Sequence, residues 1–337
     1  MTASPKPDPA FEAQCRRIAA WSIALERASG ISSDRGQEIM DLAEALDAHF
    51  GWEPFQMEGE APDEFAQAAL ACLKVAGVAD LDRAVENLPV FPLAAQRALA
   101  VLLRDQWNAW ELEAVAGSDQ ALAAQLIRVA NSWAYAARHE IATLSQAIAF
   151  IGSDCASRVI YAASVQPMFA TPRLRDLWHH SIASAEVAQS IAEVSRAVDP
   201  KKAFLGGLVH DIGVLAMAGF PAAFQDLYRR VTSLGCEQVP AERALSGISH
   251  AQAGAATAKH WKFPEEFCEA IEHHHAPEKS EGVLASVLYL TEQWTDSCED
   301  VPSAARYRCA LERVGMTAAQ FDELAPAENR LMAELRE

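Results

Sequence analysis

The segment AFLGGLVHDIG, residues 203–213, is an apolar run that ends on an adjacent imidazole and carboxylate, His210 and Asp211. Because the run before them is apolar, these two side chains are expected at a poorly solvated helix end. Burying them without a metal or a polar partner would cost on the order of several kcal/mol. The pair therefore indicates two metal ligands, or one ligand with the side chain that orients it.

Further histidines lie on both sides of this pair. Eight of the ten histidines fall between residues 179 and 275, and histidine both ligates metals and transfers protons near neutral pH. His180 precedes His210 by 30 residues, His250 follows it by 40, and the pair His274 and His275 ends a helix that Pro264 is expected to begin. On separate helices of a bundle such side chains can converge. We expect them to meet in one pocket around His210 and Asp211.

Apolar residues recur at helical spacing along most of the chain, and no alternating strand pattern rises above the background. The sequence therefore predicts an all-α fold, a multi-helix bundle with an additional N-terminal helical segment. Thr317 and Gln320 are spaced as a capping box for a C-terminal helix, and Trp107 and Trp110 are interpreted as core residues. Two apolar stripes are expected in the core: Leu112, Val115, Leu122, Leu126 and Val129, and Ile182, Val187, Ile191 and Val194.

The overall charge limits the possible partners. Lys and Arg total 28, and Asp and Glu total 46, for a formal net charge of −18. Such an acidic surface repels nucleic acid and anionic lipid, and no stretch approaches the roughly 18 consecutive apolar residues of a membrane span. The N-terminus lacks a signal-peptide layout, and the seven scattered cysteines contain no CxxC pair. We expect a cytoplasmic protein that binds neither nucleic acid nor membrane.

The chain is predicted to have three parts. Pro89 and Pro92 mark the start of the main domain, because each proline disfavours helix at the residue before it. Helical segments with short connections then continue to about Trp294. The predicted parts are an N-terminal helical segment at residues 1–87, a main domain at 88–294 and a C-terminal helical tail at 295–337. One hypothesis assigns partner binding or dimerisation to residues 1–87.

The segment GGLVHDIG, residues 206–213, resembles the LLHDIG core of the HD-type metal phosphohydrolases. Seven ordered motifs around it resemble more closely the HDOD domain, a divergent subgroup of that superfamily. In chain order they are LPVFP (88–92), DQALAAQLIRVANS (119–132), IATLSQAIAFIG (141–152), WHHS (178–181), Glu242 with HAQAG (250–254), WKFP (261–264) and AIEHHHAP (270–277).

The resemblance implies a site for one or two divalent ions, with Fe, Mn, Zn or Ni as candidates. In catalytic relatives the last ligand is an Asp on a later helix, and Glu292 is the nearest carboxylate in the corresponding stretch. The implied metal ligands in this chain are His180, His210, Asp211, His250, His274, His275 and Glu292.

Two functions stay open at this point. The first is a non-catalytic or weakly catalytic regulatory scaffold in bacterial signal transduction, which binds a signalling protein or a small ligand. It is favoured because Val214 follows HDIG where phosphodiesterase relatives place a Lys, and because no GYP motif follows His275. The second is an active metal-dependent phosphohydrolase or phosphodiesterase, which the nearly complete ligand set favours. No catalytic residue is assigned, and the oligomeric state is not predicted.

Overall fold

The computed structural model describes residues 78–104, 107–132, 135, 137–171, 174–233, 238–295 and 304–324. Within these ranges every regular element is helical and no strand is present, which confirms the all-α prediction. Residues 1–77, which make up most of the predicted N-terminal helical segment, lie outside the described residues. The predicted boundaries of the three parts stay predictions.

The chain divides into two compact units. The larger unit comprises Leu88–Gly213 and Gly254–Glu337, and the smaller unit comprises Met1–Asn87 and Val214–Ala253. The helices, in chain order, are α1 (Val78–Glu86), α2 (Leu93–Leu102), α3 (Ala109–Gly117), α4 (Gln120–Ala130), α5 (Leu144–Ile151), α6 (Ser153–Val165), α7 (Arg175–Ser195), α8 (Pro200–Val209), α9 (Gly213–Met217), α10 (Ala222–Ser233), α11 (Gln238–Ser246), α12 (His250–His260), α13 (Glu265–His273), α14 (Val283–Thr295), α15 (Ala304–Val314) and α16 (Ala318–Asp322).

Local side-chain chemistry sets several helix ends in the larger unit. Asp199 accepts from the backbone N–H of Lys201 and, with Pro200 in the first turn, begins α8. Helix α13 starts after Pro264, as expected. The capping box predicted for Thr317 and Gln320 is confirmed at α16, where each side chain accepts from the other residue's backbone N–H.

The core of the larger unit follows the helical stripes of the sequence. The first predicted stripe, from Leu112 to Val129, is buried throughout. In the second stripe Ile182, Val187 and Ile191 are buried, but Val194 is 51% exposed because it lies in the last turn of α7. The core interpretation of Trp110 is wrong, since this side chain is 73% exposed near the start of α3.

In the larger unit α8 and α14 pack on each other, and both pack on α7 and α13. Two glycines permit the closest approaches around α8. A Cβ atom on Gly207 would lie 2.5 Å from the backbone oxygen of Ser184 on α7. A Cβ atom on Gly254 would lie 2.7 Å from Ile271 Cγ2 and 3.5 Å from the backbone oxygen of His210. Backbones therefore meet in van der Waals contact around the end of α8.

No individual helix in the described part of the chain has both the length and the apolar character needed to cross a bilayer. The consecutive pair Leu144–Ile151 and Ser153–Phe169 passes that test together, with a bend of 118° between them.

Candidate metal centre

Five of the seven predicted ligands lie together in the larger unit, and we call them the histidine–carboxylate cluster. Each comes from α7, α8, α13 or α14, or from the residues that directly follow one of these helices, and α8 and α14 each pack on the other three. Helix α7 contributes His180, the end of α8 contributes His210 and Asp211, and α14 contributes Glu292. The residue after α13 is His274. The cluster is buried among these helices, with His180 the most accessible member.

The donor atoms of the cluster are close to one another. His210 Nε2 lies 2.7 Å from Glu292 Oε1 and 3.4 Å from Asp211 Oδ2. His180 Nε2 lies 3.2 Å from both His210 Nε2 and Glu292 Oε1, and 3.5 Å from Asp211 Oδ2. His274 Nε2 lies 3.6 Å from Asp211 Oδ1. Two three-donor sets result, one of His180, His210 and Glu292 and one of His210, Asp211 and His274, and both include His210.

Backbone carbonyls fix the orientation of two of the imidazoles. His210 Nδ1 is 2.8 Å from the carbonyl oxygen of Gly207, and His274 Nδ1 is 2.7 Å from that of Ile271. A carbonyl oxygen can only accept, so each Nδ1 carries a hydrogen and donates it. In the neutral ring the lone pair then lies on Nε2, which faces the cluster. Metal-ligating histidines are held in this way.

The carboxylates and imidazoles shift each other's pKa. Burial opposes the charged form of His210, but Asp211 and Glu292 outweigh it and hold the pKa of His210 well above its usual range. Burial would raise the pKa of Glu292, but His210 and His180 hold it well below its usual range. The pKa of His180 is also raised, against the effect of burial, by Glu292 and Asp211. The cluster therefore favours bound positive charge.

The donor geometry fits a divalent transition metal. With metal–ligand bonds of about 2.1 Å, two ligands at right angles lie about 3.0 Å apart, and two at the tetrahedral angle lie about 3.4 Å apart. The separations of His180 and His210 from each other and from the carboxylates of Asp211 and Glu292 run from 2.7 to 3.5 Å. Imidazole and carboxylate donors suit Zn, Fe, Mn and Ni. The residues present therefore fit the ion that the sequence implies.

The other two predicted ligands are placed as follows. His275 lies beside His274 in the larger unit, with 4.1 Å between ring centroids. His250 begins α12 in the smaller unit, where Glu242 of α11 holds it. Glu242 Oε2 lies 2.7 Å from both the backbone N and the Nδ1 of His250, and Tyr228 donates to Glu242 Oε1 at 3.3 Å. Metal binding by His250 and His275 stays a prediction.

The sequence pointed only indirectly to the groups that orient these imidazoles. Glu242 was a motif match without an assigned role, although a carboxylate eight residues before His250 is the feature that could have identified the pair. The carbonyl of Gly207 could not be identified, because any residue has a carbonyl. Its contact with His210 depends on the geometry of the last turn of α8.

Several known proteins resemble this chain. A presumed signal transduction protein of Marinobacter aquaeolei VT8 is 23% identical with a TM-score of 0.63, covering 92% of this chain and 68% of its own. An HDOD domain protein of unknown function from Geobacter sulfurreducens is 22% identical with a TM-score of 0.61, covering 77% and 98%. A presumed phosphohydrolase of Shewanella amazonensis SB2B is 23% identical with a TM-score of 0.60, covering 77% and 97%. At these identities the similarity establishes the fold.

Sequence comparison adds a relative and a family. An uncharacterized protein of Treponema pallidum (strain Nichols) is 24% identical over 229 residues, which are 64% of this chain and 43% of that protein. The chain thus spans less than half the length of this relative. The sequence model of the HDOD domain matches residues 88–277, more than half of the chain. Together with the all-α fold and the ordered motifs, this match establishes that the chain belongs to the HDOD domain family.

Proposed function

We propose that this chain is a regulatory HDOD module of signal transduction that binds a divalent transition metal at the histidine–carboxylate cluster without hydrolysing phosphoesters. It transmits a regulatory signal by binding a signalling protein or a small ligand. The observation that carries the metal-binding part is the set of four donor atoms, from His180, His210, Asp211 and Glu292, with separations of 2.7 to 3.5 Å where these are measured. The presumed signal transduction role of the Marinobacter relative supports the regulatory part.

The composition of the segments that carry the cluster supports a non-catalytic role. The segments that carry the cluster, residues 176–195, 203–228, 263–278 and 280–305, contain no Lys or Arg. Phosphoryl transfer is accelerated chiefly by stabilising negative charge on the transferring group. In addition, Val214 stands where phosphodiesterase relatives have a Lys, and Ala276 and Pro277 follow His275 in place of a GYP motif. These segments therefore offer a phosphoester substrate no Lys or Arg side chain.

The competing function is a metal-dependent phosphohydrolase. It is favoured by the nearly complete ligand set and by the name of the Shewanella relative. A divalent ion in the cluster would supply a Lewis acid and a bound water of lowered pKa. The two functions share the metal and differ in turnover, so both quantities have to be measured.

The test compares three proteins purified without chelator: the wild type, His210→Ala and a matched control, His260→Ala. His260 is exposed at the end of α12 and thus tests the loss of a histidine as such. Metal content is measured by elemental analysis, and hydrolysis with bis-p-nitrophenyl phosphate in the presence of Mn²⁺. We expect about one equivalent of Fe, Mn, Zn or Ni in the wild type and in His260→Ala, much less in His210→Ala, and no turnover in any of them.

Two outcomes would contradict the proposal. Wild-type turnover that disappears in His210→Ala would identify the chain as a hydrolase. A wild type without metal that also fails to take up Mn²⁺ or Zn²⁺ on dialysis would refute metal binding at the cluster.

A further inference from the structure

A second polar feature of the larger unit lies at the other end of helices α7 and α8. It is a cavity of about 400 Å³, within the range of small-molecule sites. Gln189 lines it nine residues after His180 on α7, and Lys201 lines it nine residues before His210 on α8. At 1.5 Å per residue, this is about 14 Å along the helices from the cluster. The cavity therefore differs from the candidate metal centre.

One wall of the cavity has a buried hydroxyl without a partner. Tyr161 of α6 lines the cavity and is 3% exposed. Among the described residues its hydroxyl has no hydrogen-bond partner, which is unfavourable for a buried polar group. Burial and the charge of Asp199 raise the pKa of Tyr161, so the hydroxyl keeps its proton and can donate it. Less than 1 Å² of the hydroxyl oxygen is accessible, so a ligand atom that accepts its hydrogen bond would satisfy it after a small shift of the side chain towards the cavity.

The guanidinium of Arg158 is the second donor. Its Nη1 donates to the side-chain oxygen of Gln189 at 3.2 Å, and its Nε to the backbone oxygen of Asp154 at 3.4 Å. Both acceptors are neutral and both distances are long for a charged donor. Arg158 therefore has unused capacity for an anion.

The acidic side chains at the cavity have other contacts. Asp154 forms an ion pair with Lys201 at 3.3 Å, and Asp199 accepts from the backbone N–H of Lys201 at 2.7 Å. Glu193 accepts from Gln189 Nε2 at 2.6 Å. These carboxylates leave Arg158 available and would repel a ligand that carries several negative charges.

We infer that this cavity is a second ligand site, which binds a small molecule through a single carboxylate group, held between the Arg158 guanidinium and the Tyr161 hydroxyl. Arg suits this role because its planar fork matches the geometry of a carboxylate. No step depends on a metal in the histidine–carboxylate cluster, so the inference goes beyond the proposed function and can fail or succeed separately.

The test uses chelator-treated full-length protein, because phosphate would otherwise bind to a metal. Inorganic phosphate and acetate are titrated at constant ionic strength, and binding is followed by calorimetry and by the shift in Tm. We expect Arg158→Gln to weaken binding about tenfold or more, the loss of a charge-assisted pair, and Tyr161→Phe to weaken it about three- to tenfold. Acetate should bind more tightly than phosphate, because phosphate carries more than one negative charge on average at neutral pH. Tighter binding of phosphate would contradict the choice of a carboxylate.

Two matched controls test whether the loss of a polar side chain as such affects binding. Arg128→Gln removes an exposed guanidinium that also donates to a glutamine side chain, that of Gln125, and should leave binding unchanged. His260→Ala, which removes an exposed histidine outside the cluster, should also leave it unchanged. Equal binding by the wild type and Arg158→Gln, or no binding of either probe, would overturn the inference.

The stability of Tyr161→Phe gives an independent readout. Because the variant removes a buried hydroxyl that has no partner, its Tm without ligand should equal or exceed that of the wild type. A clearly lower Tm would mean that the hydroxyl is bonded within the protein, and this would also overturn the inference.

Discussion

His210 Nε2 lies 2.7 Å from Glu292 Oε1, and the two residues are only 1% and 6% exposed. They are 82 residues apart in sequence and are brought together by the packing of α8 against α14. A buried imidazole and carboxylate at this distance depend on each other when no metal is bound. Their ionisation also sets the conditions under which a cation can bind.

We expect Glu292→Gln to lower the free energy of unfolding of the metal-free protein by about 3 kcal/mol, because breaking a buried ion pair leaves its partner uncompensated. The measurement is urea denaturation in the presence of a chelator near pH 6. Glu265→Gln is the control, since this carboxylate is exposed and lies 3.6 Å from Lys259; it should cost less than about 1 kcal/mol. Equal losses in both variants would contradict the prediction.

The pair also predicts how the stability of the metal-free protein depends on pH. The raised pKa of His210 stabilises the folded state below its unfolded value of 6.5, and this contribution is lost as pH rises through the folded pKa. The lowered pKa of Glu292 stabilises the folded state above 4.5, and this contribution is lost as pH falls through the folded pKa. Both are therefore present in full between pH 4.5 and 6.5.

In that window the difference in unfolding free energy between the wild type and His210→Gln should be largest, and it should decrease on both sides. Denaturation curves with chelator at a series of pH values measure it. A difference that keeps growing above pH 6.5 would show that His210 is neutral in the folded metal-free protein.

Metal binding should release protons. With the pKa of His210 raised in the metal-free cluster, a divalent ion at neutral pH has to displace the proton from this imidazole. We expect about one proton or more per bound Zn²⁺, and an apparent affinity that rises with pH up to the pKa of the metal-free cluster. Calorimetric titrations in two buffers of different ionisation enthalpy give the number of protons. Equal apparent enthalpies in both buffers would contradict the prediction.

A matched pair of glycines tests the helix contact beneath the site. In Gly207→Ala the new Cβ would lie 2.5 Å from the backbone oxygen of Ser184, whereas in Gly206→Ala it would lie 3.2 Å from Leu284 Cδ1, the end of a flexible side chain. We expect Gly207→Ala to lose about 2 kcal/mol or more of stability and to bind metal more weakly. Gly206→Ala should change both much less. Thermal unfolding and zinc titration measure both effects, and similar losses in the two variants would refute the explanation.

The sequence predicted the helices well where an apolar stripe repeats over several turns, as from Leu112 to Val129. It was less accurate near helix ends, where Val194 keeps the apolar spacing but is 51% exposed. The exposed ring of Trp110 shows the same limit, since a large apolar side chain does not reveal whether a neighbour covers it.

The candidate cluster could be anticipated because its ligands belong to chemical types that rarely occur without a partner in apolar surroundings. The second cavity could not be anticipated. Arg158 and Tyr161 are three residues apart on a helix with no distinctive motif, and Gln189 and Lys201 come from two other segments. These four residues line one cavity only because helices α6, α7 and α8 pack together.

Gly207 both lacks a side chain where α7 passes and offers its carbonyl to His210. A single position thus sets the spacing of two helices and the tautomer of a predicted metal ligand. If His210 were replaced, the contact with α7 alone would still require a small residue at position 207. The requirement for a glycine here is therefore independent of whether a metal binds.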